Sequence, residues 1–368
     1  MSMRPRHVLM TTDAVGGVWT YALDLAEGLL ARGVGVTLAV LGPAPGPAHR
    51  QAARQVEGLA LVEVGRSLDW LADHPEQLDE AERALRGLVA RTGADLVHLN
   101  APALGGEDDW GAPVVGVCHS CVATWWDAVR GTGLPQDFEW RTSRLAAGYR
   151  GCDRLIAPSL AFAQATAARY GVQPVVIHNG RRPAALHAPE RRRMVLTSGR
   201  LWDEGKNIAV LERAAVRMRG AVEAAGPLDG PNGQTVRLAK TRALGPLSGE
   251  ALRRRLTETS VFCAPALYEP FGLGVLEAAQ AGCALVLSDI PTFRELWEGA
   301  ALFVQPRDDV ALAAVLDELL DDADRARRLG RLASERAGRF SVDAMVEGTL
   351  EVYADVLALR APLGEAAA

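Results

Sequence analysis

Apolar runs of four to six residues alternate with stretches of helical period along almost the whole chain. Short apolar runs bounded by turn formers read as buried strands, and the 3.6-residue repeat reads as amphipathic helix, so the pattern is that of two parallel-sheet α/β units. In the first half strands are predicted at His7 to Thr12, Val34 to Leu41, Ala60 to Val64, Leu96 to Leu99, Val114 to Cys118, Arg154 to Ala157 and Val175 to Ile177. Helices are predicted between them, including Gly17 to Arg32, Leu78 to Thr92, Gln136 to Tyr149 and Ser159 to Tyr170, the last with Ser159 as its N-cap. The second half repeats the pattern, with strands at Met194 to Ser198, Ala221 to Ala224, Arg242 to Leu244, Val261 to Ala264, Ala284 to Leu287 and Ala301 to Val304. Helices from Val310 to Asp321, Arg325 to Arg339 and Val342 to Leu359 follow, and the turn formers between Gly226 and Gly233 predict a loop.

A basic, proline-containing stretch from Arg181 to Arg193 interrupts the alternation and reads as an interdomain linker, its arginines a solvated charge run rather than a phosphate or lipid patch. At 368 residues the chain suits two domains. A composition of 49% hydrophobic and 23% charged residues is that of a globular protein. Forty Lys and Arg against 45 Asp and Glu leave a net charge of −5, which gives a nucleic-acid partner no electrostatic footprint. No window of eighteen residues is free of charge and polarity, so a membrane span is not expected. The N-terminal Met-Ser-Met-Arg-Pro-Arg-His lacks the apolar core of a signal peptide, and the expected compartment is the cytoplasm. Five cysteines, an odd number each set in or beside an apolar run, agree with reduced, buried thiols. Cys118-His119-Ser120-Cys121 has the spacing of a zinc half-site, but no second cysteine pair completes it.

The most informative segment is Tyr268 to Gly282, where Glu269 and Glu277 flank a glycine-bearing turn, Pro-Phe271-Gly272-Leu273, that opens a helix. Such a turn aims unpaired backbone N–H groups at an anion, and two carboxylates beside it can accept from sugar hydroxyls, which suits a phosphorylated, polyhydroxylated ligand. Glu-x7-Glu with Pro-Phe-Gly-Leu between the acids resembles the retaining glycosyltransferases of family 4, of glycogen-synthase-like, group 1 type. The resemblance implies a GT-B fold, two Rossmann-like parallel-sheet domains facing a deep interdomain cleft. Its domains would be 1–185 on the acceptor side, 186–340 for the nucleotide sugar, and a last helix in 341–368 that crosses back to the first. It also implies that Glu269 touches the donor sugar, Glu277 the ribose, and the amides of Phe271, Gly272 and Leu273 the sugar and diphosphate.

Gly16-Gly17 follows the first strand and opens the first helix, where backbone can approach an anion. It is not a dinucleotide fingerprint, since Gly-x-Gly-x-x-Gly is absent. Gly16-Gly17-Val18 with Tyr21, Leu25 and Ala26 resembles the family's Gly-Gly-Val-x-x-Tyr-x-x-x-Leu-Ala, whose glycines face donor phosphate and acceptor. His119 sits just past a strand at the carboxyl edge of the sheet, where the family places a histidine near the donor sugar. Arg200 and Lys206 follow the first strand of the second half and stand ready to stabilise a departing diphosphate. Five residues separate them, against four in the family.

The resemblance implies retention at the anomeric carbon without metal or other cofactor, and no Asp-x-Asp metal motif is evident. The adjacent pairs Asp108-Asp109 and Asp321-Asp322 fall on predicted surface. The expected partners are a nucleotide sugar, UDP-linked, and a small-molecule, glycan or lipid-linked acceptor. Trp110, Trp125 and Trp126 are candidates to stack on that acceptor or equally to fill a core. Residues 121–150 hold four Arg against two Asp and one Glu, too balanced for strong lipid attraction. Two other readings use the same residues: a GT-B sugar-phosphate synthase or phosphorylase, and a noncatalytic nucleotide-sugar-binding protein.

Overall fold

The computed structural model describes residues 3–106, 109–183, 191–231 and 233–360. Residues 184–190 of the predicted linker, Asp108, Asn232 of the glycine-rich loop and the tail from residue 361 lie outside the described residues. The chain divides into two compact units. Unit 1 comprises Met1–Asp127, Thr132–Gly180 and Val342–Ala368; unit 2 comprises Ala128–Gly131 and Arg181–Ser341.

Unit 1 is built on seven strands, β1 (His7–Asp13), β2 (Gly35–Leu41), β3 (Ala60–Glu63), β4 (Leu96–Leu99), β5 (Val114–Val117), β6 (Arg154–Ala157) and β7 (Val175–Val176). All pair in parallel, in the order β3-β2-β1-β4-β5-β6-β7. Parallel strands covered on both faces must be apolar throughout, and Val8, Leu9 and Met10 of β1 are accordingly sealed from solvent. Its helices are α1 (Gly17–Leu30), α2 (Pro47–Arg54), α3 (Pro75–Thr92), α4 (Val122–Val129), α5 (Glu139–Gly151) and α6 (Leu160–Tyr170). The predicted helix from Gln136 divides into a 3-10 turn at Gln136–Phe138 and then α5. The helix expected from Leu78 opens a turn earlier, at Pro75, a residue whose missing N–H costs nothing at a helix start. Ser159 caps α6, its side chain accepting from the Phe162 N–H at 3.2 Å.

Unit 2 carries β8 (Arg192–Ser198), β9 (Ala221–Ala225), β10 (Arg242–Gly245), β11 (Thr259–Ala264), β12 (Ala284–Ser288) and β13 (Leu302–Val304), again all parallel, ordered β10-β9-β8-β11-β12-β13. Helices α7 (Ile208–Arg217), α8 (Gly249–Thr257), α9 (Leu273–Gln280), α10 (Pro291–Trp297), α11 (Asp309–Asp321) and α12 (Ala323–Ala337) cover it. Its core gathers Phe262, Leu285, Phe293 and Trp297.

The last helix, α13 (Val342–Arg360), belongs to unit 1. It packs on α1 so closely that a Cβ on Gly28 would strike Val346, while Arg32 bonds Asp343 at 2.9 Å and Glu347 at 2.7 Å. Val346, Tyr353 and Val356 are fully buried there. Among the described residues no helix is long and apolar enough to cross a membrane.

The basic stretch is a solvated run only in part where it is described: Arg182, Arg192 and Arg193 are exposed, while Arg181 and Arg191 are partly buried. Arg191 donates to the carbonyls of Thr259 and Ala281, Arg193 to that of Leu320, and Arg181 to Glu277. Arg191 and Arg193 thus satisfy strand and helix ends inside unit 2 and Arg181 pairs with a carboxylate of α9, uses of charge that composition does not reveal.

Candidate active site

In each sheet the strand order reverses once, between β1 and β4 in unit 1 and between β8 and β11 in unit 2. At such a switch point the loops leaving the carboxyl ends diverge and open a crevice for ligands. In unit 2 this edge carries most of the residues singled out by the sequence. The chain leaves β8 through Gly199, at φ 142°, where a Cβ would lie 3.5 Å from Lys206 Cε. The Lys206 side chain thus lies back across the strand end. The chain reaches Lys206 through a 3-10 turn, Glu204–Lys206. Asp203 organises this turn with both oxygens: Oδ1 accepts from the Gly205 N–H at 2.9 Å, and Oδ2 from Arg200 at 3.1 Å. Arg200 is 42% exposed and also stands over the Trp202 ring.

The neighbouring loop, after β11, is tied to the same turn. Leu267 and Tyr268 both donate to the Gly205 carbonyl, and Asn207 donates to the carbonyls of Pro265 and Pro306 at 2.8 and 2.7 Å. Asn207 has the left-handed φ of 55°, tolerable for an Asn because its short side chain bonds locally. These ties bring Lys206 Nζ onto the Glu269 carboxylate, an ion pair whose partners are only 22% and 15% exposed. Gly272 follows at φ 94°, where a side chain would be strained and would crowd Phe293 and Val275. A Cβ at Gly274 would come 3.2 Å from Ser198 Oγ, so the start of α9 sits against the end of β8. The first amides of α9 lack intrahelical acceptors, as at any helix start. The Phe271 ring turns into the core, edge-on to Phe340. Glu277 sits apart from Glu269 and is held by Arg181.

In unit 1, Gly16 precedes α1 and Gly17 opens it, with Asp13 bracing the turn by accepting from the Val15 N–H at 2.8 Å. His119, just beyond β5, lies edge-on to Tyr21 of α1, ring centroids 4.7 Å apart, so the structure brings His119 and the glycine turn to one sheet edge. His119 Nε2 is 2.7 Å from Asn100 Oδ1. Asn100 in turn spans the end of β1: its backbone N–H donates to Thr11 Oγ1 at 2.8 Å and its Nδ2 to the Thr11 carbonyl at 2.7 Å. A carbonyl can only accept, so the amide orientation is fixed and His119 Nε2 must carry the proton. Burial, with His98 close by, holds His119 down to about 3, so it is neutral and its Nδ1 is an acceptor with no partner among the described residues. His98 is itself fully buried, lowered to about 4 by that burial, and bonded to the Tyr353 hydroxyl at 2.8 Å.

Trp110 is buried, and Trp125 and Trp126 lie on α4. Cys118 is buried and pushed up to about 12, unsuited to metal or redox work, and no disulfide joins any of the five cysteines. Among the described residues no three His, Cys, Asp or Glu side chains converge as metal ligands. Against the expectation that no Asp-x-Asp motif is present, Asp322-Ala323-Asp324 has that spacing; its Asp322 caps α12 by accepting from the Arg325 N–H at 2.8 Å and its Asp324 pairs with Arg327. The sequence reading missed Asn100, Asp203 and Arg181 as parts of the site. A polar residue immediately after a buried strand, as Asn100 is, and an Asp ahead of a Gly-Lys turn were the available signals; for Arg181 there was none.

Residues 15–184 match the family model for Glycosyltransferase Family 4, and residues 234–336 that for Glycosyl transferases group 1. The chain belongs to the family 4, group 1 glycosyltransferases. A D-inositol 3-phosphate glycosyltransferase of Streptomyces scabiei is 29% identical, the match covering 95% of this chain and 88% of that protein. The glycogen synthase of Mycobacterium tuberculosis is 37% identical, but over 32% of this chain, which there spans 29% of the relative's length. Among solved structures, sucrose-phosphate synthase of Thermosynechococcus elongatus superposes with a TM-score of 0.77 at 22% identity, covering 96% of this chain and all of that one. Anabaena HepE in complex with UDP-glucose gives 0.75 at 17%, covering 95% and 99%. The two parallel-sheet units are thus those of the GT-B fold.

Proposed function

We propose that this family 4 glycosyltransferase moves a sugar, with retention, from a UDP-linked donor to an acceptor hydroxyl without a metal. The observation that carries this is the half-buried Lys206–Glu269 pair set beside Arg200 and the open amides of α9 at one switch point. A carboxylate that accepts from sugar hydroxyls beside a diphosphate needs its own counter-charge, and Lys206 supplies it while its remaining protons face the ligand. Arg200 and the α9 amides take the diphosphate, and Glu277 takes the ribose. Their charges act most on the leaving group as the anomeric carbon–oxygen bond to the β-phosphate breaks. The acceptor oxygen bonds the same face of that carbon, and its proton passes to the leaving phosphate oxygen, so no protein nucleophile is required.

On unit 1, the edge bearing Gly16 and Gly17 serves the acceptor, and the His119 Nδ1 lone pair receives a sugar hydroxyl. The acceptor is a small molecule, glycan or lipid-linked alcohol, and the reaction is cytoplasmic. UDP-sugars incubated with an acceptor panel, the first-formed glycoside read by proton NMR, test this. An α-linked product from an α-linked donor, undiminished by EDTA, is expected. An inverted product removes the retaining mechanism, and activity restored only by added magnesium or manganese removes metal independence.

A further inference from the structure

Arg181 is the first residue of unit 2 after Gly180, and four hydrogen bonds to three residues fix its position. Its N–H donates to the Phe340 carbonyl at 3.1 Å, and its carbonyl accepts from Gln280 Nε2 at 2.8 Å. Its guanidinium sends Nε at 3.0 Å and Nη2 at 2.7 Å to a single oxygen, Glu277 Oε1. Glu277 and Gln280 are three apart on one face of α9, so Arg181 lies along that face. The pair is 16% and 18% exposed. Glu277 Oε2 has no partner among the described residues.

We infer that Arg181 is a positioning residue for nucleotide recognition, which clamps Oε1 so that Oε2 is presented to the ribose 2′-hydroxyl and ribose is distinguished from deoxyribose. This rests on the reading that Glu277 receives the ribose. Two converging donors on one oxygen remove the rotation of a long carboxylate side chain, which otherwise must be frozen when the ligand binds. The guanidinium also offsets a carboxylate that would repel the approaching diphosphate. Lys206 does the same for Glu269, so each acid has a cation of its own. A shallow cavity beside the pair is lined by Arg182 and Arg253 as well. Removing Arg181 therefore removes orientation more than it removes positive potential.

Calorimetric titration of the full chain with UDP, 2′-deoxy-UDP and inorganic pyrophosphate tests this, with GDP and 2′-deoxy-GDP run in parallel. The wild-type protein is expected to favour the ribonucleotide by about tenfold, the scale of a hydrogen bond to a charged acceptor. Arg181→Ala should bring that ratio to near unity with pyrophosphate affinity unchanged, and Arg181→Lys should recover part of it. The ratio surviving intact in Arg181→Ala overturns the inference, as does an equal loss of UDP and pyrophosphate, which marks a purely structural residue. If instead Glu277→Gln keeps the ratio, or the wild type shows none, it is the ribose reading that fails, and the inference falls with it.

Discussion

Replacing Asn100 by Asp exchanges the amide oxygen that holds His119 for a carboxylate oxygen in the same place, 2.7 Å from Nε2. With centres of charge about 4 Å apart and an effective dielectric near 20, the attraction to an imidazolium is about 4 kcal/mol. At about 1.4 kcal/mol per pH unit that raises the His119 midpoint by about 3 units, from about 3 to about 6. Burial favours the new carboxylate's protonated form, and so does the Thr11 carbonyl, which its second oxygen meets where Nδ2 had donated; the two groups therefore titrate as a pair, and protonation of the pair near neutral pH is new in either case. As pH falls through 6, Nδ1 then gains a proton and ceases to accept. The activity of Asn100→Asp should therefore fall away on the acid side about 3 units earlier than that of the wild type. Ring-labelled histidine NMR reads the midpoint and the tautomer directly, and kcat/KM against pH reads the consequence. A His119 midpoint that stays below 4 in Asn100→Asp, or a wild-type tautomer with the proton on Nδ1, refutes the reasoning.

Arg200→Ala and Lys206→Ala should each lower kcat by about 10²–10³ with little change in KM, because their charge is needed most as the diphosphate departs; steady-state kinetics showing a loss confined to KM would contradict that role. Stability should also fall in acid. His98 and His119 are held at about 4 and about 3 in the fold, below the value near 6.5 expected of an unfolded chain. The unfolded state therefore takes up protons that the folded state refuses. As pH drops from 6.5 toward 4, each histidine removes up to about 1.4 kcal/mol per pH unit. Urea midpoints that do not move between pH 7 and pH 5 would exclude this.

The order and type of the strands were legible because a doubly covered parallel sheet needs continuous apolar runs, and these stand out against the helical repeat. The Glu269 to Glu277 segment was legible because a glycine turn between two acids leaves a local mark. What stayed hidden depends on contacts between distant residues. Arg181 meets Glu277 across 96 positions, and Thr11 meets Asn100 across 89. Nothing in local composition separates an arginine satisfying a carboxylate from one in water, which is why the stretch from Arg181 read as a solvated run. Phe271 shows the opposite limit. It belongs to the motif, yet its side chain serves the core.

The placement of α13 in unit 1 sets an order of events during synthesis. Unit 2 is almost wholly one uninterrupted segment and has its core residues as soon as that segment emerges. Unit 1 starts first but lacks the helix that covers Gly28 of α1 and supplies Val346, Tyr353 and Val356. At about 5–20 residues per second, the intervening stretch of about 160 residues keeps that apolar face of α1 waiting for about 10–30 s. The first-made half of the chain is thus the last to be finished, and a ribosome that stalls inside unit 2 leaves behind a nascent unit 1 that is sticky and a natural client for chaperones.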